Sequence, residues 1–475
     1  MTVLLGFYLG HDSNIAVSIN GKIKYRKSER YFQKKHHKAN LQFVFDTLND
    51  WGIDKVDYCA YTDGNRQNLG ICQKNEFFCD GSLKEFKSYC LDHHYAHALS
   101  LWPVIDTEKI NYSVSIDGRG DWNRSMMVIK NPARNPTIVK SQDSLGMGYE
   151  FYLMGKMLGF TGMEYDFAGK LMGLQSYSED DIVRFGLPKL KNTSYKTSLL
   201  YGDNNAYSTY KEWHEYWWNY VKNVFDFPKD SIISYTGGCA QNSVYNYRLK
   251  KMFENIHIPP HAYDGGLSLG CLEFLRIKYD LNQFENTDFP FWQDDSIDEQ
   301  PTLKTIKYAA ECISRGKIIG WMQGSGELGP RSLGNRSILM NAINPKNKDI
   351  LNDRVKKREM WRPYAGSILS DFATQYFDMD KSEYMLYACN VTNGNIPAVT
   401  HVDNTCRMQT VKGGIFAELI YQYYKLTGIP LVLNTSLNVM GKPIKSKIEN
   451  PIKLLQQCNL DYLFVGNKIY HQLKL

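Results

Sequence analysis

The sequence predicts an α/β protein of two domains, residues 1–293 and 300–475. Strand-like apolar runs alternate with helical patterns in both halves, which is typical of sheets covered by helices. At 475 residues the chain is long enough for two large cores, and 43% hydrophobic residues with mixed charge favour a globular protein. The polar stretch 293–300 lacks hydrophobic periodicity, so we place the linker there.

Composition excludes several classes of protein. Ten cysteines are scattered without a C-x-x-C pair, which fits reduced cytosolic thiols better than a disulfide framework or a zinc ribbon. The first apolar run meets His11 and Asp12 too early for a signal peptide, and no run of about 18 apolar residues predicts a membrane span. The balance of 56 basic to 50 acidic residues suits anionic substrates but not a nucleic-acid footprint. We therefore expect a cytoplasmic protein without a membrane partner.

The chain begins with a predicted strand over residues 3–9, followed by strands over 15–19 and 22–26. The Asn20-Gly21 pair between two apolar runs predicts a tight hairpin. The polar loop 10–13 after the first strand is typical of actin-like ATPase folds, which hold phosphate there, and of many other α/β domains.

Two later stretches allow a structural and a functional interpretation. Residues 25–38 carry six Lys or Arg, which favours a solvated face over a phosphate contact. Aromatic residues recur at helical spacing over 213–222, which favours a helix packed on the core over a surface for an acceptor. The surrounding region, 187–226, is where we expect variation with the acceptor.

His93 and His97 form an H-x-x-x-H pattern. On a helix the two side chains share one face and can chelate one metal ion. A structural role for the pair stays open, and no glutamate follows the first histidine as it does in zinc proteases.

The segment 320–336 follows a hydrophobic strand and combines glycines with Arg331 and Arg336. Glycines allow close approach to an anion, and arginines bind phosphate or carboxylate with paired donors, although surface ion pairs would explain them equally well. It is neither a P-loop nor a Rossmann fingerprint. A basic run to Arg362, then Arg407, then a strand into Asn434-Thr-Ser436 add donors that suit a nucleoside triphosphate.

Several of these motifs resemble the O-carbamoyltransferases of the nodulation and antibiotic-tailoring type. Lys356-x-Arg358, and Ser436-x-Asn438 followed by Gly441-x-Pro443, look like the two signatures of a YrdC/Sua5-like, carbamoyladenylate-forming domain. Gly10-His11-Asp12 looks like the opening motif of the family. The resemblance covers nearly the whole chain and implies an actin-like (Kae1-like) N-terminal domain. Lys442 and Gln241 depart from the residues common in the family.

The resemblance also implies specific site residues. It assigns His93, His97, Asp117 and Asp264 to a metal site that favours Fe²⁺, although the same ligands suit Mn²⁺ or Zn²⁺. It gives His11 or Asp12 the deprotonation of the acceptor. The residues expected to bind ATP, carbamoyl phosphate or carbamoyladenylate are Gly118, Gly120, Lys170, Gly237, Gly238, Asn242, Arg331, Arg336, Lys356, Arg358, Arg362, Arg407, Asn434 and Ser436.

The implied reaction uses ATP with Mg²⁺ and carbamoyl phosphate to form carbamoyladenylate. The carbamoyl group then passes to a hydroxyl, which we expect on a sugar or another small natural product, with a hydroxymethyl nucleotide or DNA as the alternative. An actin-like kinase or ATPase and a threonylcarbamoyl-type tRNA-modifying enzyme remain as other hypotheses, and a metallopeptidase fits least. A homodimer stays open.

Overall fold

The computed structural model describes residues 2–69, 72–81, 83, 86–187, 210–439, 441–446, 448 and 450–472. The chain divides into two compact units, Met1–Glu29 with His36–Phe289, and Arg30–Lys35 with Pro290–Leu475. Both units combine β-sheets with helices, which confirms the predicted α/β class. Residues 188–209, in the region expected to vary with the acceptor, lie outside the described residues.

The first sheet of the first unit has six strands in the order β3-β2-β1-β4-β6-β5. They are β1 (Val3–Tyr8), β2 (Asn14–Ile19), β3 (Lys22–Lys27), β4 (Tyr58–Thr62), β5 (Phe78–Asp80) and β6 (Ser88–Leu91). The predicted hairpin is confirmed, because β2 and β3 pair antiparallel and Asn20 and Gly21 both adopt positive φ. β1 pairs antiparallel with β2 and parallel with β4, so the polar loop after β1 emerges at the sheet edge where β4 also ends.

The second sheet of this unit repeats the strand order of the first. Its strands are β7 (Tyr112–Ile116), β8 (Met126–Lys130), β9 (Thr137–Gln142), β10 (Ile233–Thr236) and β11 (Ile256–His257). In both sheets, three consecutive antiparallel strands are followed by two strands parallel to the first of them. The duplicated order is that of an actin-like fold, although the sequence carries no visible repeat.

Helices connect and cover these sheets. They are α1 (Ser28–Phe32), α2 (Leu41–Asp50), α3 (His93–Leu99), α4 (Met147–Met157), α5 (Phe167–Leu174), α6 (Glu179–Arg184), α7 (Tyr210–Val224), α8 (Ser243–Met252) and α9 (Leu267–Lys278). α9 packs on β1, β4 and α3. The approach is close because of glycine: a Cβ on Gly6 would lie 2.2 Å from the Ser268 carbonyl oxygen, and one on Gly270 would lie 1.9 Å from that of Ala96. The loops after β1 and before α9 are thereby fixed relative to α3.

The second unit is built on one mixed sheet of eight strands in the order β15-β16-β14-β17-β13-β12-β18-β19. The strands are β12 (Ile319–Met322), β13 (Arg336–Asn341), β14 (Ala365–Leu369), β15 (Ala388–Asn390), β16 (Thr405–Val411), β17 (Leu431–Ser436), β18 (Tyr462–Val465) and β19 (Lys468–His471). The helices are α10 (Leu303–Ser314), α11 (Asn347–Leu351), α12 (Ala373–Tyr376), α13 (Gly414–Thr427) and α14 (Pro451–Gln457). α10 and α13 pack together against Trp321 and Leu339 in the core.

The structure differs from two expectations, one about the linker and one about the cysteines. The stretch 293–300, expected to be a linker, lies within the second unit, where Asp295 is buried and accepts a hydrogen bond from the Gly326 amide. Cys72 and Cys79 form a disulfide, whereas we expected reduced thiols throughout; the other eight cysteines are free. Among the described residues, no helix is long and apolar enough to cross a membrane.

Candidate functional site

Helix α3 carries the histidine pair. Asp92 caps the helix by accepting hydrogen bonds from the amides of His94 and Tyr95, so the helix begins at His93. His93 and His97 are both buried and their rings lie 4.8 Å apart. The predicted helical spacing is therefore present, and both imidazoles lie on one face.

Two aspartates from distant parts of the chain face these imidazoles. Asp117 follows β7, and Asp264 begins the helical turn that leads into α9. His97 Nε2 lies 3.2 Å from Asp117 Oδ2 and 3.3 Å from Asp264 Oδ1, and the matching distances from His93 Nε2 are 3.9 and 3.6 Å. The structure thus brings the four predicted metal ligands together, with all their ligand atoms within 4.8 Å of one another.

The donor set fits a transition-metal ion. All four ring nitrogens of His93 and His97 are buried and lack a hydrogen-bond partner among the described residues, which is costly unless something else satisfies them. Burial would lower the pKa of His93, but Asp264 and Asp117 outweigh it and raise the pKa to about 9. Two imidazoles and two carboxylates in one buried group are ligands for Fe²⁺, Mn²⁺ or Zn²⁺.

A buried ionic network, which the sequence analysis missed, holds α3 in place. Asp121 accepts hydrogen bonds from the backbone amides of His93 and Arg66 at 2.9 and 2.8 Å. The guanidinium groups of Arg66 and Arg124 approach Asp92 at 3.9 and 3.3 Å. The cap residue of α3 is thus itself anchored by charge. Asp92 could have been recognised as a helix cap in the sequence, because it directly precedes His93. Its charged partners, Arg66 and Arg124, are distant in the sequence and could not.

His11 lies at the edge of the metal-ligand group. Its Nε2 is 3.3 Å from Asp264 Oδ2, and its Nδ1 is 3.1 Å from Asp12 Oδ2. Burial alone would raise the pKa of Asp12, but Lys27, His11 and His36 hold it well below its usual range. Asp12 is therefore a weak base and is suited to orienting His11, which leaves His11 as the better candidate to take a proton.

Lys27 and His36 complete this group, and the sequence analysis did not assign either to the site. Lys27 Nζ lies 3.0 Å from Asp12 Oδ1 and 2.9 Å from Glu29 Oε1, and His36 Nδ1 lies 2.9 Å from Asp12 Oδ2. Asp12, Glu29 and His36 could by themselves hold a second cation. The Lys27 ammonium already contacts both carboxylates, so this group is a closed ion-pair network.

The predicted nucleotide turns of the first unit lie beside the metal-ligand group. Asp117 accepts hydrogen bonds from the amides of Gly118 and Gly238 at 2.6 and 2.9 Å, so these turns orient a metal ligand. A Cβ on Gly120 would lie 2.6 Å from the His94 ring, and one on Gly237 would lie 2.2 Å from the Ile116 carbonyl oxygen. Both glycines are therefore required for packing, whatever else they contact.

Two other residues predicted to bind nucleotide have local partners. Asn242 caps α8, because its Oδ1 accepts hydrogen bonds from the amides of Val244 and Tyr245. Lys170 is buried, donates to the Thr161 carbonyl at 2.8 Å and lies over the Phe160 ring. A nucleotide contact by either residue stays a prediction.

The second unit gathers arginines of like charge. Burial and the charges of Arg331 and Arg362 lower the pKa of Arg407 well below its usual range. Burial, Arg362 and Arg407 lower that of Arg358 to about 10. Among the described residues, neither Arg358 nor Arg407 has a carboxylate partner, and the Nε of each is buried without a hydrogen bond. Arg362 lies 3.6 Å from Glu359. Such a group repels itself unless an anion is bound.

Lys356 connects the two predicted signatures of this unit. Its buried Nζ donates to Asn438 Oδ1 at 2.7 Å and to Ser436 Oγ at 3.3 Å. Burial and the Arg358 charge lower its pKa well below the usual range. The Lys356 amine thus rests on neutral oxygens, and a bound anion would stabilise its charged form.

Two predicted binding residues have buried partners within the protein. The guanidinium of Arg336 is fully buried, lies 3.1 Å from Asp295 Oδ1 and donates to the carbonyls of Gln323 and Gly324. Asn434 is buried and donates to Ser367 Oγ at 2.9 Å, while its Oδ1 accepts from the Ser332 hydroxyl. A ligand contact by Arg336 or Asn434 stays a prediction, and Asn434 positions the loop after Arg331 through its hydrogen bonds with Ser332.

Comparison with known proteins agrees with the motifs. Residues 310–472 match the family model described as Carbamoyltransferase C-terminus. The chain is 28% identical to nodulation protein NolNO of Sinorhizobium fredii, over 79% of this chain and 63% of that protein. It is 33% identical to nodulation protein U of Rhizobium fredii, over 43% of this chain and 38% of that protein. The matched residues lie in the second unit, which is thus similar to the C-terminal part of carbamoyltransferases.

The match covers less than two thirds of the length of both nodulation proteins. Among solved structures, component A of the (R)-2-hydroxyglutaryl-CoA dehydratase of Acidaminococcus fermentans is similar over 58% of this chain and 100% of its own, with a TM-score of 0.34 and 18% identity.

Proposed function

We propose that this chain is an ATP-dependent carbamoyltransferase that forms carbamoyladenylate from ATP and carbamoyl phosphate and passes the carbamoyl group to an acceptor hydroxyl. The observation that carries the proposal is the arginine group of the second unit, which lies within the stretch matching the family. Arg358 and Arg407 lack carboxylate partners among the described residues, so a polyanion would relieve their mutual repulsion.

In the first half-reaction, the second unit would hold ATP with Mg²⁺ and carbamoyl phosphate. Phosphoryl transfer concentrates negative charge on the transferring group, and preorganised cations lower its barrier. Arg331, Arg358, Arg362 and Arg407, together with Lys356, supply that charge. Water would first cleave carbamoyl phosphate to carbamate and phosphate, and a carbamate oxygen would then attack the α-phosphorus of ATP, which forms carbamoyladenylate and releases pyrophosphate.

In the second half-reaction, the first unit would transfer the carbamoyl group. His93, His97, Asp117 and Asp264 would hold an ion, with Fe²⁺ favoured, and such an ion supplies Lewis-acid polarisation of an oxygen when bound. His11 would take the proton of the acceptor hydroxyl, with Asp12 orienting its ring through the 3.1 Å contact at Nδ1. We favour a small-molecule hydroxyl as acceptor over a nucleotide or DNA.

The test follows labelled ATP on the metal-loaded protein with and without carbamoyl phosphate. Pyrophosphate release that depends strictly on carbamoyl phosphate supports the adenylating half-reaction. ADP release that is indifferent to carbamoyl phosphate contradicts it and indicates an actin-like kinase or ATPase instead. Dependence on bicarbonate and threonine would indicate the threonylcarbamoyl-type reaction.

A further inference from the structure

A buried ammonium ion lies among the carboxylates next to His11. Lys27 ends β3, its side chain is 1% exposed, and its Nζ lies 3.0 Å from Asp12 Oδ1 and 2.9 Å from Glu29 Oε1. It also donates a hydrogen bond to the Tyr263 hydroxyl at 2.5 Å. Burial alone would lower the pKa of Lys27, but Asp12 and Glu29 outweigh it and raise the pKa well above its usual range. The side chain is therefore charged, and these three oxygens match the three protons of an ammonium ion.

Two of the oxygens around Lys27 belong to a group that could hold a divalent ion. Asp12, Glu29 and His36 each offer one ligand atom, and these atoms lie within 4.8 Å of one another. Two carboxylates and an imidazole are common ligands for Mn²⁺ or Zn²⁺. The Lys27 ammonium lies beside both carboxylates, so a side-chain cation occupies a place where a metal ion would fit.

The two oxygens of the Asp12 carboxylate have different partners. Oδ1 faces the Lys27 ammonium, whereas Oδ2 lies 3.1 Å from His11 Nδ1 and 2.9 Å from His36 Nδ1. A carboxylate that is held at one oxygen by a fixed cation presents the other oxygen in a fixed direction. Lys27 thus determines how Asp12 meets His11, the residue proposed to take the acceptor proton.

The same face of β3 also fixes the loop that carries Asp264. Tyr263, whose hydroxyl accepts the hydrogen bond from Lys27, directly precedes that metal ligand. Tyr25, two positions before Lys27 and therefore on the same face of the strand, donates to the Gly265 carbonyl at 2.6 Å. The residues on both sides of Asp264 are thereby held by one strand.

We propose that the Lys27 ammonium is a built-in cation of the first unit, which takes the place of a second divalent ion between Asp12 and Glu29. Lys27 is a positioning residue, because it acts through Asp12 and Tyr263. That role rests on the proposed function, and it means that carbamoyl transfer requires a divalent ion only at the metal-ligand group. A side-chain ammonium does not exchange with solvent as a metal ion does, so the orientation of Asp12 is independent of the metal concentration.

The test counts the Mn²⁺ ions bound by the full-length protein in equilibrium dialysis, with Mn²⁺ alone as the probe. Lys27→Ala removes the ammonium and leaves its space beside both carboxylates. We expect this variant to bind one Mn²⁺ per chain more than the unmodified protein, with a Kd of about 10⁻⁴ M or tighter. Lys27→Arg keeps a cation in place and should bind no additional Mn²⁺. Lys22→Ala, which removes an exposed lysine of the same strand, is the matched control and should bind none either.

A double variant locates the additional ion. Lys27→Ala combined with Glu29→Gln lacks one of the ligands, so it should bind the additional Mn²⁺ at least about 10-fold more weakly than Lys27→Ala. The inference is overturned if Lys27→Ala binds no additional Mn²⁺, if Lys27→Arg binds one as well, or if the double variant binds it as tightly. Failure of Lys27→Ala to fold with Mn²⁺ present would also overturn it, because a divalent ion would then be unable to replace the ammonium.

Pyrophosphate release that depends on carbamoyl phosphate is measured on the same samples. It should stay within about 2-fold in Lys27→Ala, because the second unit is untouched. If this release persists and no additional Mn²⁺ is bound, the inference fails and the proposed function stands. If the release is absent in the unmodified protein, the proposed function fails, whereas the number of bound Mn²⁺ ions still decides whether Lys27 takes the place of a divalent ion.

Discussion

The two units carry polar groups of opposite character. In the first unit, two carboxylates face imidazoles whose nitrogens have no hydrogen-bond partner among the described residues, so a cation would complete the group. In the second, arginines lower one another's pKa and two of them have no carboxylate partner among the described residues, so an anion would complete it. A cation would therefore complete the first group and an anion the second, as the proposed two-step transfer requires.

The substitution His93→Ala gives the largest expected effect, because it removes a ligand from the cation group alone. We expect bound metal to be lost and carbamoyl transfer to fall by at least about 10³-fold, as a Lewis acid contributes several kcal/mol to such reactions. Pyrophosphate release that depends on carbamoyl phosphate should stay within about 2-fold, since the arginine group is untouched. Metal analysis and both assays on one preparation check this.

His257→Ala, which removes a histidine outside the metal-ligand group, is the matched control and should retain metal. Loss of transfer and of pyrophosphate release together in His93→Ala would refute the division of the two half-reactions between the units.

Arg336→Met separates structural from ligand-binding arginines in the second unit. It leaves the Asp295 carboxylate buried without its cation, and breaking a buried pair of this kind costs about 3–5 kcal/mol. Urea unfolding of the second unit measures the loss. Arg315→Met, which removes an exposed arginine 3.4 Å from Glu311, should cost less than about 1 kcal/mol. Equal, small losses in both variants would mean that Arg336 is free to contact a ligand.

Arg407→Gln should lower activity without lowering stability, the opposite of what we expect for Arg336→Met. We expect pyrophosphate release to fall by about 10²-fold, the effect of removing one preorganised charge from a transition state. Without ATP, the free energy of unfolding should not decrease, because the substitution relieves repulsion from Arg331 and Arg362. A destabilised but fully active variant would contradict the assignment of Arg407 to the anion group.

The difference between Arg336 and Arg407 indicates where sequence reasoning stops. Both are arginines in the stretch that matches the family, and their spacing predicts the same role. Their surroundings differ because Arg336 pairs with a carboxylate, Asp295, from a stretch expected to be a linker. By contrast, the His93 and His97 spacing predicts its own geometry, because four residues on a helix fix the face. Local periodicity can be recognised in the sequence, whereas the pairing of residues far apart in the chain cannot.

The first unit shows the same limit at the level of the fold. The hairpin at Asn20-Gly21 was predictable from a local turn signal, and the α/β class from alternating patterns. The repeated strand order of the two sheets was not predictable, because many different apolar sequences can form strands that pair in the same order. Asp117 and Asp264 came from the family resemblance, and Lys27 was missed, because only a tertiary contact places it beside Asp12.

Glu150 offers the smallest test, since it is a buried acid outside the metal-ligand group that pairs with no cation among the described residues. It belongs to α4, and its Oε1 has no hydrogen-bond partner among the described residues. Burial raises its pKa from 4.5 to about 7, so the native state binds this proton more tightly than the unfolded chain. The free energy of unfolding should therefore fall as pH rises from about 4.5 to about 7, by up to about 2 kcal/mol after allowance for solvent screening.

In Glu150→Gln this pH dependence of the free energy of unfolding should vanish, whereas Glu179→Gln, an exposed control, should keep it. Urea unfolding between those pH values compares the three proteins. If the free energy of unfolding had the same pH dependence in all three proteins, Glu150 would have a partner that neutralises it. Unpaired buried charge would then be confined to the metal-ligand group of the first unit and the arginine group of the second.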